Sequence, residues 1–83
     1  MESLHRIEVA HVFGRVLKEL RIESGITQEV LAERSECDRT YPSLLERGRR
    51  TPGLEVIFKL AEALKIDPAK LVQLVQERMR EGR

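Results

Sequence analysis

Residues 25–52 read GITQEVLAERSECDRTYPSLLERGRRTP. Thr27 is an N-cap residue type, whose side-chain oxygen can accept a hydrogen bond from a free N–H of a first helical turn. Val30, Leu31 and Ala32 follow as a short apolar face, and the pattern predicts a helix over residues 28–35. Asp38 is a second N-cap type and opens a helix over residues 39–47, with Gly48 as its terminator. Pro42 falls in or just past the first turn of that helix, where the missing donor distorts or shifts the start. Residues 35–38 are the whole connection. A link so short makes the two helices cross steeply and lets the second stand out from the surface.

The flanks complete the pattern. Val9, Phe13, Val16, Leu17 and Leu20 recur at three- and four-residue spacing, predicting an amphipathic helix over residues 8–24 that Gly25 ends. Residues 3–7 either extend it or form an arm. Thr51, Pro52 and Gly53 make a turn, and a fourth helix covers residues 54–65. Asp67–Pro68, an N-cap followed by proline at the first helical position, opens a fifth over residues 68–80. Nowhere do β-branched residues alternate as in a strand. The expectation is an all-α, five-helix fold making one domain over residues 1–83.

Composition narrows the function. Hydrophobic residues are 41% and charged residues 35% of 83, a folded and soluble balance. Cys37 is the single cysteine, so neither an internal disulfide nor a cysteine-based zinc site can form, and a reducing cytoplasm fits. Residues 1–10 lack the apolar run of a signal peptide, and no stretch approaches membrane-spanning length. The net charge of +1 announces no nucleic-acid partner, but Arg39, Arg47, Arg49 and Arg50 face a single acid, Glu46, within one short stretch. A local excess of this kind suits a phosphate-facing edge, and equally a solvated loop.

The order and spacing of several marks now converge: Arg21 with Gly25-Ile26-Thr27-Gln28, Leu31-Ala32, Ser43, Leu45-Glu46-Arg47-Gly48, Pro52 with Leu54, Leu60-Ala61-Glu62-Ala63-Leu64, and Ile66-Asp67-Pro68. The chain resembles the lambda-repressor/Cro-type helix-turn-helix transcriptional regulators, also called the xenobiotic-response-element type, over about residues 13–74. Within that family, Asp38-Arg39-Thr40-Tyr41 is similar to the restriction–modification controller proteins. The resemblance implies a DNA-binding transcriptional regulator of the cytoplasm with no cofactor and no metal. Its second short helix would be a recognition helix, and a helix fits the B-DNA major groove, about 12 Å wide.

Roles follow residue by residue. Arg39 and Thr40 stand at the groove-entering end; Arg39 can donate two parallel bonds to guanine O6 and N7, and Thr40 can bond a base edge or touch a thymine methyl. Tyr41 either reaches phosphate or sugar or fills the gap between helices. Ser43 and Leu44 face DNA in the family, although Leu44 is equally suited to packing. The resemblance gives Gln28 a phosphate to grip, beside Thr27 at the same helix start, and a bracing role toward the recognition helix. Arg49 and Arg50 can reach the flanking backbone. Arg21 and Glu46 are paired in the family as an ion pair locking the first helix to the third. Two departures stand out: Glu36 occupies a turn position where glycine is usual, and Pro42 replaces an aliphatic residue. Cys37 occupies a place for a small buried residue.

The last two helices carry more apolar residues than one stripe holds. Leu54, Ile57, Ala61 and Leu64 share a face toward the first half of the chain; Val56, Phe58 and Leu60, with Leu71, Val72 and Val75, are left for a homodimer interface. A two-fold dimer implies a pseudo-palindromic double-stranded operator read in successive major grooves, roughly 34 Å apart. Repression needs only occupancy of promoter DNA; activation would need a contact with RNA polymerase besides. Two rivals are weaker. An enzyme lacks support, since His5 and His11 share no helical face and no catalytic spacing occurs. An antitoxin-type module that binds a protein and also its own promoter would have only residues 1–7 and 77–83 for the partner.

Overall fold

The computed structural model describes residues 2–82, with side chains from residue 8 onward. Among the described residues there are five α-helices and no strand: α1 Glu2–Glu23, α2 Gln28–Arg34, α3 Tyr41–Glu46, α4 Leu54–Leu64 and α5 Pro68–Glu81. The first helix therefore takes in residues that the periodicity had left open, and begins at Glu2. It closes where Gly25 takes φ +72° and Ile26 N donates back to Arg21 O at 3.3 Å. Thr27 Oγ1 accepts from Val30 N at 3.1 Å and starts α2. Asp67 Oδ1 accepts from Ala69 N at 2.8 Å and starts α5, with Pro68 at its first turn.

One core joins all five helices. Phe13, Val16 and Leu17 of α1 meet Leu31, Leu45, Leu60, Ala61, Leu64, Leu71 and Val75. α1 packs on α3 and α5, α2 on α3 and α4, and α4 on α5. The approach of α1 to α3 depends on Gly14: a Cβ there would lie 2.3 Å from Leu45 O and 2.7 Å from Glu46 O, both backbone atoms.

Three expectations are corrected. The helix expected from residue 39 begins at Tyr41, with Thr40 as its N-cap residue. Proline is the cause: a helix begun at Arg39 would need the N–H of residue 42 for its first bond to Asp38 O, and Pro42 has none. The chain instead turns through Tyr41 N to Asp38 O, 3.0 Å, and the first four-residue bond runs from Leu44 N to Thr40 O, 3.3 Å. Pro42 itself is buried within the first turn of α3.

Second, Leu60, Leu71 and Val75 are not surface residues awaiting a partner. They are buried inside the subunit, because α5 lies against both α1 and α4 and takes their side chains into the core. Phe58 and Val72 are exposed, Val56 is half-buried, and Leu54 is exposed rather than turned inward. Third, Cys37 is only half-buried, its Sγ 3.6 Å from Ser35 O; the buried member of that turn is Ser35, whose hydroxyl donates to Leu31 O at 2.6 Å.

Candidate nucleic-acid interface

α2, the turn after it and α3 bound an open groove of about 860 Å³, lined by Arg21, Gly25–Glu29, Arg39, Thr40, Ser43, Leu44 and Arg47. Its floor is a polar lock. Arg21 donates to both oxygens of Glu46, Nε to Oε2 at 2.6 Å and Nη2 to Oε1 at 3.1 Å. Its Nη1 donates to Ile26 O at 2.9 Å. Gln28 Nε2 adds a bond to Glu46 Oε1 at 3.0 Å. The two charged side chains are 13% and 3% exposed, so their mutual bonds replace most of their hydration. Bonding to Glu46 makes the Arg21 guanidinium hold its proton more firmly than an ordinary arginine. The lock ties the end of α1, the start of α2 and the end of α3 into one unit.

On that base the segment ahead of α3 presents outward. Arg39 and Thr40 are exposed. Asp38 Oδ2 accepts from Thr40 N at 3.2 Å and from Thr40 Oγ1 at 2.6 Å. These bonds hold the Asp38 carboxyl below its ordinary value of 3.8. They also commit the Thr40 hydroxyl hydrogen, leaving its methyl and oxygen lone pairs for a ligand. Arg39 Nη2 donates to Glu29 Oε2 at 2.8 Å.

The remaining expected residues fall into three places. Ser43 and Leu44 are half-buried and face the groove; Tyr41 is half-buried and packs against the core, as a gap filler would. Arg49 and Arg50 are exposed beyond the end of α3, outside the groove itself. Thr27 and Gln28 line the groove at the start of α2. Two charged lining residues, Glu29 and Arg47, have no site role in the sequence analysis. Arg47 stands out in the sequence only as part of the local positive excess and of the Leu45-Glu46-Arg47-Gly48 mark. Glu29 carried no mark, because its importance lies in a contact ten positions away. Among the described residues no cluster suited to a metal occurs, and no helix is long and apolar enough to cross a membrane.

Known proteins are similar to this chain in sequence and fold. A family model described as helix-turn-helix matches residues 17–71. An uncharacterized helix-turn-helix transcriptional regulator, y4dJ of Sinorhizobium fredii, is 37% identical over 86% of this chain and 92% of its own. Control protein C.BamHI of Bacillus amyloliquefaciens is 37% identical over 74% of this chain and 76% of its own. The crystal structure of the restriction–modification controller protein C.AhdI of Aeromonas hydrophila matches with a TM-score of 0.72 and 47% identity, covering 75% of this chain and 94% of that one. The chain belongs to the Cro/C1-type helix-turn-helix family of transcriptional regulators.

Proposed function

We propose that this helix-turn-helix regulator binds a pseudo-palindromic operator as a homodimer and acts as the controller of a restriction–modification system. The observation that carries it is the edge ahead of α3. Arg39 and Thr40 are exposed there at the mouth of a groove whose floor is locked by Arg21, Gln28 and Glu46. A rigid base under exposed polar side chains is what base reading requires, since a loose reader spends binding free energy on becoming ordered. Arg39 reads a guanine; Thr40, its hydroxyl hydrogen engaged by Asp38, offers its methyl to thymine; Ser43 and Leu44 meet the neighbouring bases. Thr27, Gln28, Arg47, Arg49 and Arg50 contact the sugar–phosphate backbone and set affinity and salt dependence. Phe58 and Val72, exposed apolar residues of α4 and α5, meet their symmetry mates in the dimer. The likeness to C.BamHI and C.AhdI supports the controller role.

Selection of bound duplexes from a random pool tests this. The expected product is two inverted half-sites with centres about one helical turn apart. Enrichment of a single asymmetric site, or of no sequence, overturns the proposal. The DNA upstream of the chain's own gene should contain the selected sequence.

A further inference from the structure

Besides the buried Glu46 of its floor, the groove is lined by one carboxylate among its cations, and that carboxylate holds the residue assigned to read a base. Arg21, Arg39 and Arg47 line the groove beside Glu29, and Arg21 is already paired with Glu46. Glu29 lies in the first turn of α2, across the groove from Arg39. The side chains of Arg39 and Glu29 are 79% and 63% exposed. An ion pair this exposed is screened by water and salt and adds little to folding. A carboxylate on a surface that meets phosphate also opposes binding to any DNA. Neither stability nor affinity accounts for the pair.

What the pair does is restrict Arg39. That residue lies in the irregular segment before α3, so no helical turn limits its rotamers. Ordering a long free side chain at an interface weakens binding. The bond to Glu29 uses one hydrogen of Nη2 and leaves the rest of a planar donor fork open, enough for the parallel bonds that guanine O6 and N7 accept. We infer that Glu29 is a positioning residue for sequence readout: it holds the Arg39 guanidinium so that its free edge meets a guanine, and it lowers affinity for DNA in general while sharpening discrimination. This rests on Arg39 reading a base.

The experiment is a mutant cycle on the duplex selected by the wild-type protein. Fluorescence anisotropy gives the affinity of wild type, Glu29→Gln, Arg39→Ala and the double variant for that duplex, for duplexes with each half-site guanine replaced in turn by adenine, and for an unrelated duplex. Glu29→Gln should bind the unrelated duplex about 3- to 10-fold more tightly, because a repulsive charge is gone. It should discriminate about tenfold less against replacement of one particular guanine, the same guanine whose replacement Arg39→Ala ceases to notice. In the Arg39→Ala background, Glu29→Gln should raise affinity for every duplex alike and leave discrimination where it was. Its melting curve should match wild type, which separates positioning from folding. Unchanged discrimination in Glu29→Gln overturns the inference, as does an equal loss with and without Arg39. If Arg39→Ala itself discriminates as well as wild type, the base-reading role of Arg39 falls first, and the single variant shows it.

Discussion

Glu36 sits at φ +58°, in left-handed backbone, where its Cβ crowds the following carbonyl. The turn requires it: Glu36 N donates to Glu33 O at 3.2 Å and Cys37 N to Ala32 O at 2.9 Å, closing α2 before the chain reverses toward α3. Replacing Glu36 with glycine should remove roughly 1 kcal/mol of strain and raise the midpoint of a thermal melt by about 4–8 °C in a domain this small. A melt unmoved or lowered would mean that the turn tolerates the side chain. This strain was legible in advance, because the turn resembles one where glycine is usual. The same conformation at Lys65, φ +58°, was not. A lysine after Leu64 reads as one more helical residue, and only the placement of Ile66 against the core bends the chain there. Asp38 is a residue with a pH signature. Its folded-state carboxyl is held below the ordinary 3.8 by the Thr40 hydroxyl and N–H. Its contribution is therefore present above that value and disappears as pH falls through the lower folded-state one. Protection of the Thr40 amide, its exchange rate taken relative to the intrinsic rate at each pH, should be present at neutral and mildly acidic pH and be lost in strong acid, whereas Asp38→Ala should lower that protection at every pH.

At the level of elements, the site is held by the contact between α1 and α3. Two features make it, and they differ in how they could be read from sequence. Arg21 and Glu46 stand 25 positions apart, and only the family resemblance joined them. Gly14 gave no such sign, since a glycine within an apolar helical pattern does not reveal which backbone approaches it. Both features are open to test. Gly14→Ala must push Cβ into the Leu45 and Glu46 carbonyls, and overpacking against backbone should cost about 3 kcal/mol. Glu46→Ala strands the Arg21 guanidinium and the Gln28 amide at once, for a loss of about 3 kcal/mol. Both variants should melt well below wild type and lose DNA binding through the fold. A wild-type melting curve for Glu46→Ala would show that the lock does not support the structure. The start of α3 shows a different limit. Asp38 was a sound capping residue by type, and its carboxylate does bond two residues ahead. The missing N–H of Pro42 overrode it, and the same shift moved Arg39 and Thr40 off the helix into the irregular segment that presents them.

At the scale of the whole molecule, the monomer buries more of its apolar surface than counting residues along α4 and α5 suggested. Periodicity identifies a surplus but not its destination, and α5 places Leu71 and Val75 within the subunit by packing on two helices at once. Among the described residues the large apolar side chains left exposed are Ile22, Leu54, Phe58 and Val72, and the two proposed to meet a second copy are Phe58, 55% exposed, and Val72, 49% exposed. A homodimer built on them makes folding depend on association. The wild-type melting midpoint should rise with protein concentration, because dimers form from folded chains and not from unfolded ones. Phe58→Glu places a charge where an apolar contact is needed. Since that side chain is exposed in the monomer, the variant should fold with a midpoint independent of concentration. In sedimentation equilibrium it should be a monomer where wild type is a dimer. On a full operator its affinity should fall to that of wild type for an isolated half-site, since neither half can recruit the other. A variant that stays dimeric would move the interface elsewhere, and a wild type whose melt ignores concentration and which sediments as a monomer would leave the paired half-sites without a physical basis.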